Sequence, residues 1–298
     1  MSRPDKLIQF YLTNICNSKC STCEIWKNRK IQEIPFEKVV EIVKQFPGAD
    51  YVFGGGEFTL YSQRHALLAW CDWHNVKYTV LSNAVNLKLL EQLLVSYDIK
   101  NLTMSCDGIK HDEIRGIKGN LKNIETIVEN WKDKIPNIKL SYTLSAFNED
   151  SIDEDMAYFK KLGFDKIYFC IAQNMDLLKA NGNIVPSMKS IEKIYNFYSD
   201  MLYDKDVQLL QDILIDNLRE CDSTQSVHTI YTNGDVVRCQ SYMSNNVLGN
   251  IFDTDFAEIL IEDAKRWKYD VEVLKEHCPY EKTCQLVCQR RYDYEDRL

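Results

Sequence analysis

The sequence predicts an α/β fold: a partial (β/α)6 TIM-like barrel with a small C-terminal domain. Six short apolar stretches alternate with stretches of helical spacing as far as about residue 171, and beyond about residue 180 this alternation stops and cysteines accumulate. Alternating β and α stretches favour a parallel sheet, and six repeats are too few to close an eight-stranded barrel. We therefore place the boundary between residues 1–185 and residues 186–298.

The predicted strands are short and rich in β-branched and aromatic residues. In chain order they are Leu7–Leu12, Asp50–Phe53, Lys77–Leu81, Asn101–Ser105, Ile138–Leu144 and Lys166–Ile171. Helices with apolar residues at helical spacing separate or follow them. They are Pro35–Phe46, Gln63–Trp73, Asn86–Tyr97, Leu121–Lys132, Asp153–Leu162 and, after the alternation ends, Met188–Leu202.

The charge, the apolar runs and the cysteine number of the chain limit the partners and the compartment that we expect. The net charge of −8 argues against a nucleic-acid partner, since phosphate binding needs a basic surface. No apolar run approaches the roughly 20 residues of a membrane span, and the first residues lack the apolar core of a signal peptide. We therefore expect a cytoplasmic protein without a membrane partner, and in a reducing compartment its 11 cysteines indicate metal ligands, catalytic thiols or buried apolar residues.

Three cysteines lie in a stretch of eight residues directly after the first predicted strand. Three residues separate Cys16 from Cys20 and two separate Cys20 from Cys23. Iron–sulfur clusters are usually held by four thiolates, so three nearby thiols would leave one iron open. A structural zinc site would need four closed ligands, and a chance group of inert thiols is also compatible with the spacing.

Glycines and polar residues lie at the ends of the next predicted strands or directly after them. These residues are Gly55, Gly56, Glu57, Ser82, Asn83, Ser105 and Asp107. Because the carboxyl ends of parallel strands meet at one rim, we expect all of them to lie beside the cysteine loop. Taken singly, the glycines, Ser105 and Asp107 are equally typical of structural turns.

Taken together, these stretches resemble the radical S-adenosylmethionine (radical SAM) superfamily. The cysteine loop is similar to the loop that holds a [4Fe–4S] cluster, whose open iron is chelated by the methionyl part of S-adenosylmethionine. Gly55, Gly56 and Glu57 match the motif that binds the cofactor's amino group, although Phe58 replaces the usual proline. Ser82, Asn83, Ser105 and Asp107 match polar strand ends that contact its ribose and carboxylate. Arg115, in a stretch similar to the peptide-modifying branch, would bind that carboxylate through its planar fork.

The five C-terminal cysteines resemble an auxiliary-cluster extension, the SPASM domain or its shorter twitch form. They are Cys221, Cys239, Cys278, Cys284 and Cys288. The full pattern has a further cysteine where Lys275 stands, so we expect one auxiliary cluster, of the [4Fe–4S] type. Cys221 and Cys239 would be joined by two of the last three thiols, the fifth being idle or functional. A zinc ribbon is the alternative for this spacing.

The resemblance implies an enzyme that makes a 5′-deoxyadenosyl radical and takes a hydrogen atom from its substrate. We expect a ribosomally made peptide to be oxidised, cross-linked or epimerised, with an external electron donor such as flavodoxin or ferredoxin. A radical SAM dehydrogenase or epimerase of a sugar or aminocyclitol is the first alternative. A zinc-binding protein without enzymatic activity is the second.

Among the isolated cysteines, only Cys170, near the end of the sixth strand, could point at the active site.

Overall fold

The structure is a computed structural model, and it describes residues 6–28, 30–173, 183–214, 227–238 and 247–277. Within these ranges the strands form one sheet in the order β6-β5-β4-β3-β2-β1-β7-β8-β9. Each of the strands β1 to β6 pairs in parallel with its neighbours in the sheet. The predicted parallel α/β architecture is confirmed.

The first six strands begin and end within two residues of their predicted bounds, and the sequence predicts no bounds for the last three. The strands are β1 Leu7–Thr13, β2 Asp50–Gly55, β3 Tyr78–Ser82, β4 Asn101–Ser105, β5 Asn137–Leu144, β6 Tyr168–Ile171, β7 Val227–Ile230, β8 Asp235–Val237 and β9 Val247–Asn250. The sheet is not closed on itself, because β6 is the last strand on one side and β9 the last on the other. An open, partial barrel is therefore the observed form.

Helices follow most of the parallel strands. They are α1 Phe36–Gln45, α2 Arg64–Trp73, α3 Leu87–Ser96, α4 His111–Arg115, α5 Asn120–Trp131, α6 Ile152–Lys161, α7 Met188–Tyr198, α8 Asp204–Leu214 and α9 Phe256–His277. Sequence patterns missed α4, α8 and α9. The predicted helix over Met188–Leu202 ends earlier, at Tyr198, and a 3-10 turn over Ser199–Met201 follows it.

The two faces of the sheet differ in chemistry because side chains alternate along each strand. On β1, Ile8, Phe10 and Leu12 are fully buried and belong to the core that the helices cover. Gln9 and Tyr11, at the intervening positions, line a cavity on the other face instead. The apolar face thus anchors the helices, and the opposite face is left for binding.

A hairpin turns around Asn233 and Gly234 and lies against the barrel sheet. β7 pairs in parallel with β1, and β8 and β9 then add antiparallel strands. Gly234 has φ of +88°, which the turn requires and which glycine adopts without strain. Among the described helices, none is long and apolar enough to cross a membrane.

Candidate active site

A cavity of about 340 Å³ opens at the carboxyl ends of the barrel strands. Its walls include the three cysteines of the early loop and most of the polar residues that end β2, β3 and β4. The predicted site residues that line it are Cys16, Cys20, Cys23, Gly55, Gly56, Glu57, Ser82, Asn83, Ser105 and Arg115. The structure therefore brings these residues together at one rim, while Asp107, expected there too, is not among the cavity-lining residues.

The cysteine loop is held by backbone contacts to the end of α4. Lys19 N donates to the carbonyl of Arg115 at 3.0 Å, and Ser21 N donates to the carbonyl of Ile114 at 2.8 Å. Trp26 closes the loop from the other end, because its Nε1 donates to the carbonyl of Cys23 at 2.8 Å. The fold thus fixes the loop before any ligand binds.

Burial shifts the acidity of the loop thiols. Burial, and to a lesser extent the neighbouring Cys20, raises the pKa of Cys16 to about 12 and that of Cys23 to about 11. Without a metal these groups would therefore be neutral thiols at pH 7, and a bound metal would have to displace their protons. Burial disfavours a free thiolate, so these sulfurs are better suited to bind a cationic metal core than to ionise alone.

The donor set fits an iron–sulfur cluster better than a single ion. All three sulfur-bearing side chains face one cavity, yet within the described ranges no three His, Cys, Asp or Glu side chains are placed to hold one metal ion. A cubane binds each thiolate at a different iron atom, so its ligands lie farther apart than those around one ion. Three thiols also leave the fourth iron for another ligand.

Glycines let the loop after β2 lie directly against the cysteine loop. A Cβ on Gly56 would fall inside van der Waals contact with the carbonyl of Ile15, next to Cys16, and one on Gly55 would meet the carbonyl of Thr13. Hydrogen bonds join the same segments: Gly56 N donates to Thr13 at 2.7 Å, and Glu57 N to Ile15 at 2.8 Å. The glycines are therefore required by close backbone approach.

Replacing Gly56 with alanine should displace the cysteine loop. We expect a loss of about 1–3 kcal/mol in the free energy of unfolding from overpacking, and at least a tenfold slower cofactor cleavage, since small misplacements of reacting groups are costly. Urea unfolding and product analysis measure the two effects. Gly48→Ala is the control, because no atom lies within 4 Å of its added Cβ. If Gly56→Ala and Gly48→Ala had the same free energy of unfolding and the same rate of cofactor cleavage, the close backbone approach would not be what requires Gly56.

Glu57 is buried and strongly hydrogen-bonded within the protein. Its Oε1 accepts from Ser82 Oγ at 2.8 Å and from Thr59 Oγ1 at 2.8 Å and N at 3.1 Å, and its Oε2 accepts from Asn83 N at 2.7 Å. Burial raises the pKa of Glu57, while these donors lower it in part. Because Oε2 accepts a single hydrogen bond among the described residues, it keeps acceptor capacity toward the cavity.

Asn83 links Glu57 to the cysteine loop. Its Nδ2 lies 2.9 Å from Asn17 Oδ1, 3.0 Å from Ser18 Oγ and 3.8 Å from Cys16 Sγ. One amide side chain therefore bridges the end of β3 and the thiol of Cys16. Ser82, by contrast, directs its hydroxyl to Glu57, so it supports the carboxylate.

Asp107 lies behind the cavity wall and holds Arg115. The carboxylate is buried and receives the fork of Arg115, with Nε to Oδ2 at 2.5 Å and Nη2 to Oδ1 at 3.0 Å. Burial by itself lowers the pKa of Arg115, but Asp107 more than offsets it and raises that pKa overall. The sequence prediction gave both residues direct cofactor contacts, and their mutual pairing is the feature that it missed.

His111 supports this arrangement from inside the core. Its Nδ1 accepts from Asp107 N at 3.1 Å, and its Nε2 lies 2.7 Å from Asn120 Nδ2. Burial lowers the pKa of His111 to about 4, an effect that Asp107 opposes. The imidazole is therefore neutral at pH 7, and it serves to position the loop after β4.

This buried imidazole predicts an acid-sensitive stability. The unfolded chain takes up a proton near pH 6.5 and the folded chain only near pH 4, so the contribution of His111 is complete above pH 6.5 and is lost on acidification. At about 1.4 kcal/mol per pKa unit, wild type should lose about 3 kcal/mol relative to His111→Asn between pH 7 and pH 4.

Urea unfolding across that pH range measures the difference. Asp155, whose pKa burial raises to about 6, contributes with the opposite sign, but it is present in both proteins and cancels. His65→Asn, at an exposed position of α2, is the matched control and should show a smaller change. Parallel pH profiles for wild type and His111→Asn would contradict the argument.

Sequence reasoning missed several cavity residues on the inner face of the sheet. Gln9, Tyr11, Thr143 and Gln173 line the cavity, and Cys170, which the sequence singled out, lies with them. Their signal was the alternation of polar and apolar residues along β1, β5 and β6. The register of β5 and β6 places Thr143 beside Cys170.

The five C-terminal cysteines, Cys221, Cys239, Cys278, Cys284 and Cys288, lie outside the described residues, so their role as auxiliary-cluster ligands stays a prediction.

The residue before Cys239 is described: Arg238 is buried and forms an ion pair with Asp263 of α9. His228 Nε2 lies 3.1 Å from the same carboxylate. Burial alone raises the pKa of Asp263, but His228 and Arg238 hold it below its usual range.

Comparisons with known proteins agree with this geometry. Residues 10–170 match the family described as the Radical SAM superfamily, and residues 221–289 match SPASM, an iron–sulfur cluster-binding domain. A search of curated proteins found no match. Among solved structures, SuiB of Streptococcus suis bound to the precursor peptide SuiA is similar, with TM-score 0.68 and 17% identity over 87% of this chain.

This chain covers 65% of the SuiB chain, less than two thirds of its length. Native anSMEcpe with bound AdoMet and the peptide Cp18Cys is also similar, with TM-score 0.66 and 20% identity over 94% of this chain and 87% of that one. At such low identity these two structures support the fold, and the residues of the site come from this chain alone.

Proposed function

Because this chain belongs to the radical SAM superfamily and carries a SPASM match, we propose that it modifies a ribosomally made peptide by hydrogen-atom abstraction. Membership implies S-adenosylmethionine, a [4Fe–4S] cluster and auxiliary iron–sulfur chemistry. The observation that carries the proposal is the convergence of Cys16, Cys20 and Cys23 on one cavity with Glu57 and Arg115 in its walls.

The residues of the rim have distinct tasks in this proposal. Cys16, Cys20 and Cys23 hold the cluster. When bound, the reduced cluster supplies the electron that cleaves S-adenosylmethionine to methionine and a 5′-deoxyadenosyl radical, which takes a hydrogen atom from the substrate. Glu57 would accept from the cofactor's amino group through Oε2, and hydrogen bonds to an ionised carboxylate are strong. Asn83 fixes the neighbouring loop through Ser18 and Cys16.

The inner wall of the barrel would receive the substrate. Gln9, Thr143 and Gln173 present neutral polar groups there, and Cys170 presents a thiol. Neutral hydrogen-bonding walls suit the backbone amides of a peptide, since a buried amide needs partners. The peptide-bound structures of SuiB and anSMEcpe support this substrate class.

The remaining parts of the proposal concern redox partners. We propose that flavodoxin or ferredoxin supplies the electron, in a cytoplasmic setting that keeps the thiols reduced. Residues 1–185 would form the radical SAM core and residues 186–298 the auxiliary domain. One auxiliary cluster would take the electron of the substrate radical in an oxidation or cross-link. In an epimerisation a cysteine thiol would instead return a hydrogen atom.

The same polar wall also favours a second candidate, a sugar or aminocyclitol dehydrogenase or epimerase. Hydroxyl and amide side chains such as Thr143 and Gln173 can bind substrate hydroxyls as well as peptide amides. The two substrate classes differ in the genes that surround them, since a peptide modifier needs a nearby short open reading frame.

Incubation with the encoded short peptide tests the proposal. Reconstituted enzyme, dithionite and S-adenosylmethionine should change the peptide mass, by a loss of two hydrogens for oxidation or cross-linking, or by one deuterium gained in D₂O for epimerisation. The control is the variant in which Cys16, Cys20 and Cys23 are all replaced by alanine. An unchanged peptide, together with turnover of a sugar or aminocyclitol, would reject the peptide assignment in favour of the second candidate.

A further inference from the structure

The side chain of Arg115 reaches a cluster ligand. Its Nη1 lies 3.9 Å from Cys20 Sγ, within the range of a hydrogen bond to sulfur. Its other two donor nitrogens are bound to Asp107 at 2.5 and 3.0 Å. The fork that would suit a cofactor carboxylate is thus committed inside the protein, and the remaining nitrogen points at the thiol.

The surroundings keep this geometry fixed. The Arg115 side chain is 14% exposed and that of Asp107 is 2% exposed. The backbone carbonyl of Arg115 also accepts from Lys19 N, directly before Cys20. Backbone and side chain of one residue therefore contact two consecutive positions of the cysteine loop. Rotation of the guanidinium away from Cys20 would break a buried bidentate ion pair, which is costly.

A donor at this position acts on the redox state of a cluster. Hydrogen bonds to cluster sulfurs and nearby charge set reduction potentials. Reduction adds one negative charge to the cluster, and a cation held close to it in a site shielded from water stabilises that added charge. Nη1 of Arg115 contacts the thiol while its Nε and Nη2 face Asp107, so the pair presents its positive end to the cluster.

We propose that Arg115 is a positioning residue for the radical SAM cluster. It donates a hydrogen bond through Nη1 to the Cys20 thiolate and thereby raises the reduction potential of the cluster. Asp107 holds the guanidinium in the orientation that this contact needs. This inference rests on the proposed function, because it requires a cluster on the cysteine loop. It replaces the expectation that Arg115 binds the cofactor carboxylate.

The test removes the ion pair without changing net charge. In the double variant Arg115→Met/Asp107→Asn one positive and one negative charge disappear together, so a shift in potential reports the lost donor and its orientation. In the full-length reconstituted protein, the cluster is identified by the EPR signal that changes on addition of S-adenosylmethionine. Its ratio of reduced to oxidised cluster at fixed applied potential should fall about tenfold, which corresponds to about 59 mV for one electron.

Lys19→Met is the matched control. Lys19 is an exposed basic residue of the same loop, and solvent screens its charge, so the ratio of reduced to oxidised cluster should change less than twofold. A double variant that loads its iron and titrates like wild type would overturn the proposal. So would a large loss of S-adenosylmethionine affinity at an unchanged potential, which would return Arg115 to the carboxylate role.

A second measurement needs no variant. In wild-type protein labelled with ¹⁵N at arginine, pulsed EPR of the same reduced signal should detect coupling to an arginine nitrogen. Absence of that coupling in a loaded sample would overturn the proposal even if the double variant failed to fold. Protein that carries no iron at the loop at all would instead contradict the proposed function, so the two failures are distinguishable.

Discussion

Protein in which Cys16, Cys20 and Cys23 are all replaced by alanine is expected to bind about four fewer iron atoms per chain than wild type, the content of one cubane. It should also lose the EPR signal that responds to S-adenosylmethionine and form no 5′-deoxyadenosine. The reason is geometric, since the three thiols of the early loop line the same cavity as Glu57 and Arg115. Iron analysis and EPR of anaerobically reconstituted protein measure the loss.

The control for this variant is Cys71→Ala. Cys71 is fully buried in the core on α2, and burial raises its pKa to about 12, so it behaves as a small apolar side chain. Its replacement should leave iron content unchanged. A triple variant that kept the full iron content, or kept the responsive EPR signal, would show that the loop does not hold the cluster.

Replacing Asp263 with alanine is expected to lower the free energy of unfolding by about 3–5 kcal/mol. The substitution removes the carboxylate that pairs with the buried, charged Arg238 and contacts His228. Such a loss is a large part of the roughly 5–15 kcal/mol by which proteins are stable. Urea unfolding of the reconstituted protein measures it.

Lys265→Ala on the same helix is the matched control for Asp263→Ala. Lys265 pairs with Glu262 at 2.6 Å, but both side chains are more than 60% exposed. An exposed pair of this kind contributes less than about 1 kcal/mol. Because Arg238 directly precedes Cys239, Asp263→Ala should also reduce auxiliary iron. Equal stability of the two variants would contradict the importance of the buried ion pair.

The barrel could be predicted from the sequence because its strands bury one whole face. Residues such as Phe10, Phe53 and Leu140 are fully buried, and their spacing forces short strands separated by helices. The rim could be predicted for the same reason, since parallel strands place their carboxyl ends together. The glycines next to Glu57 were ambiguous alone, and only the close approach to Thr13 and Ile15 explains them.

The partners of the site residues could not be predicted. Arg115 is separated from Asp107 by eight positions, and their pairing depends on the short helix α4, which sequence patterns did not reveal. The contact of β7 with β1 joins residues more than 200 positions apart, and no local pattern specifies such a pairing. Tertiary packing decides both features, as it decides which polar residues of a strand face the cavity.

The yield of 5′-deoxyadenosine from wild-type protein shows whether a cluster on the cysteine loop cleaves S-adenosylmethionine. After anaerobic reconstitution, incubation with dithionite and S-adenosylmethionine should give 5′-deoxyadenosine and methionine in equal amounts, and neither should form without dithionite. The account would be contradicted by protein that carries its full iron content and an intact reduced cluster yet cleaves no S-adenosylmethionine, or by protein that holds zinc at the cysteine loop.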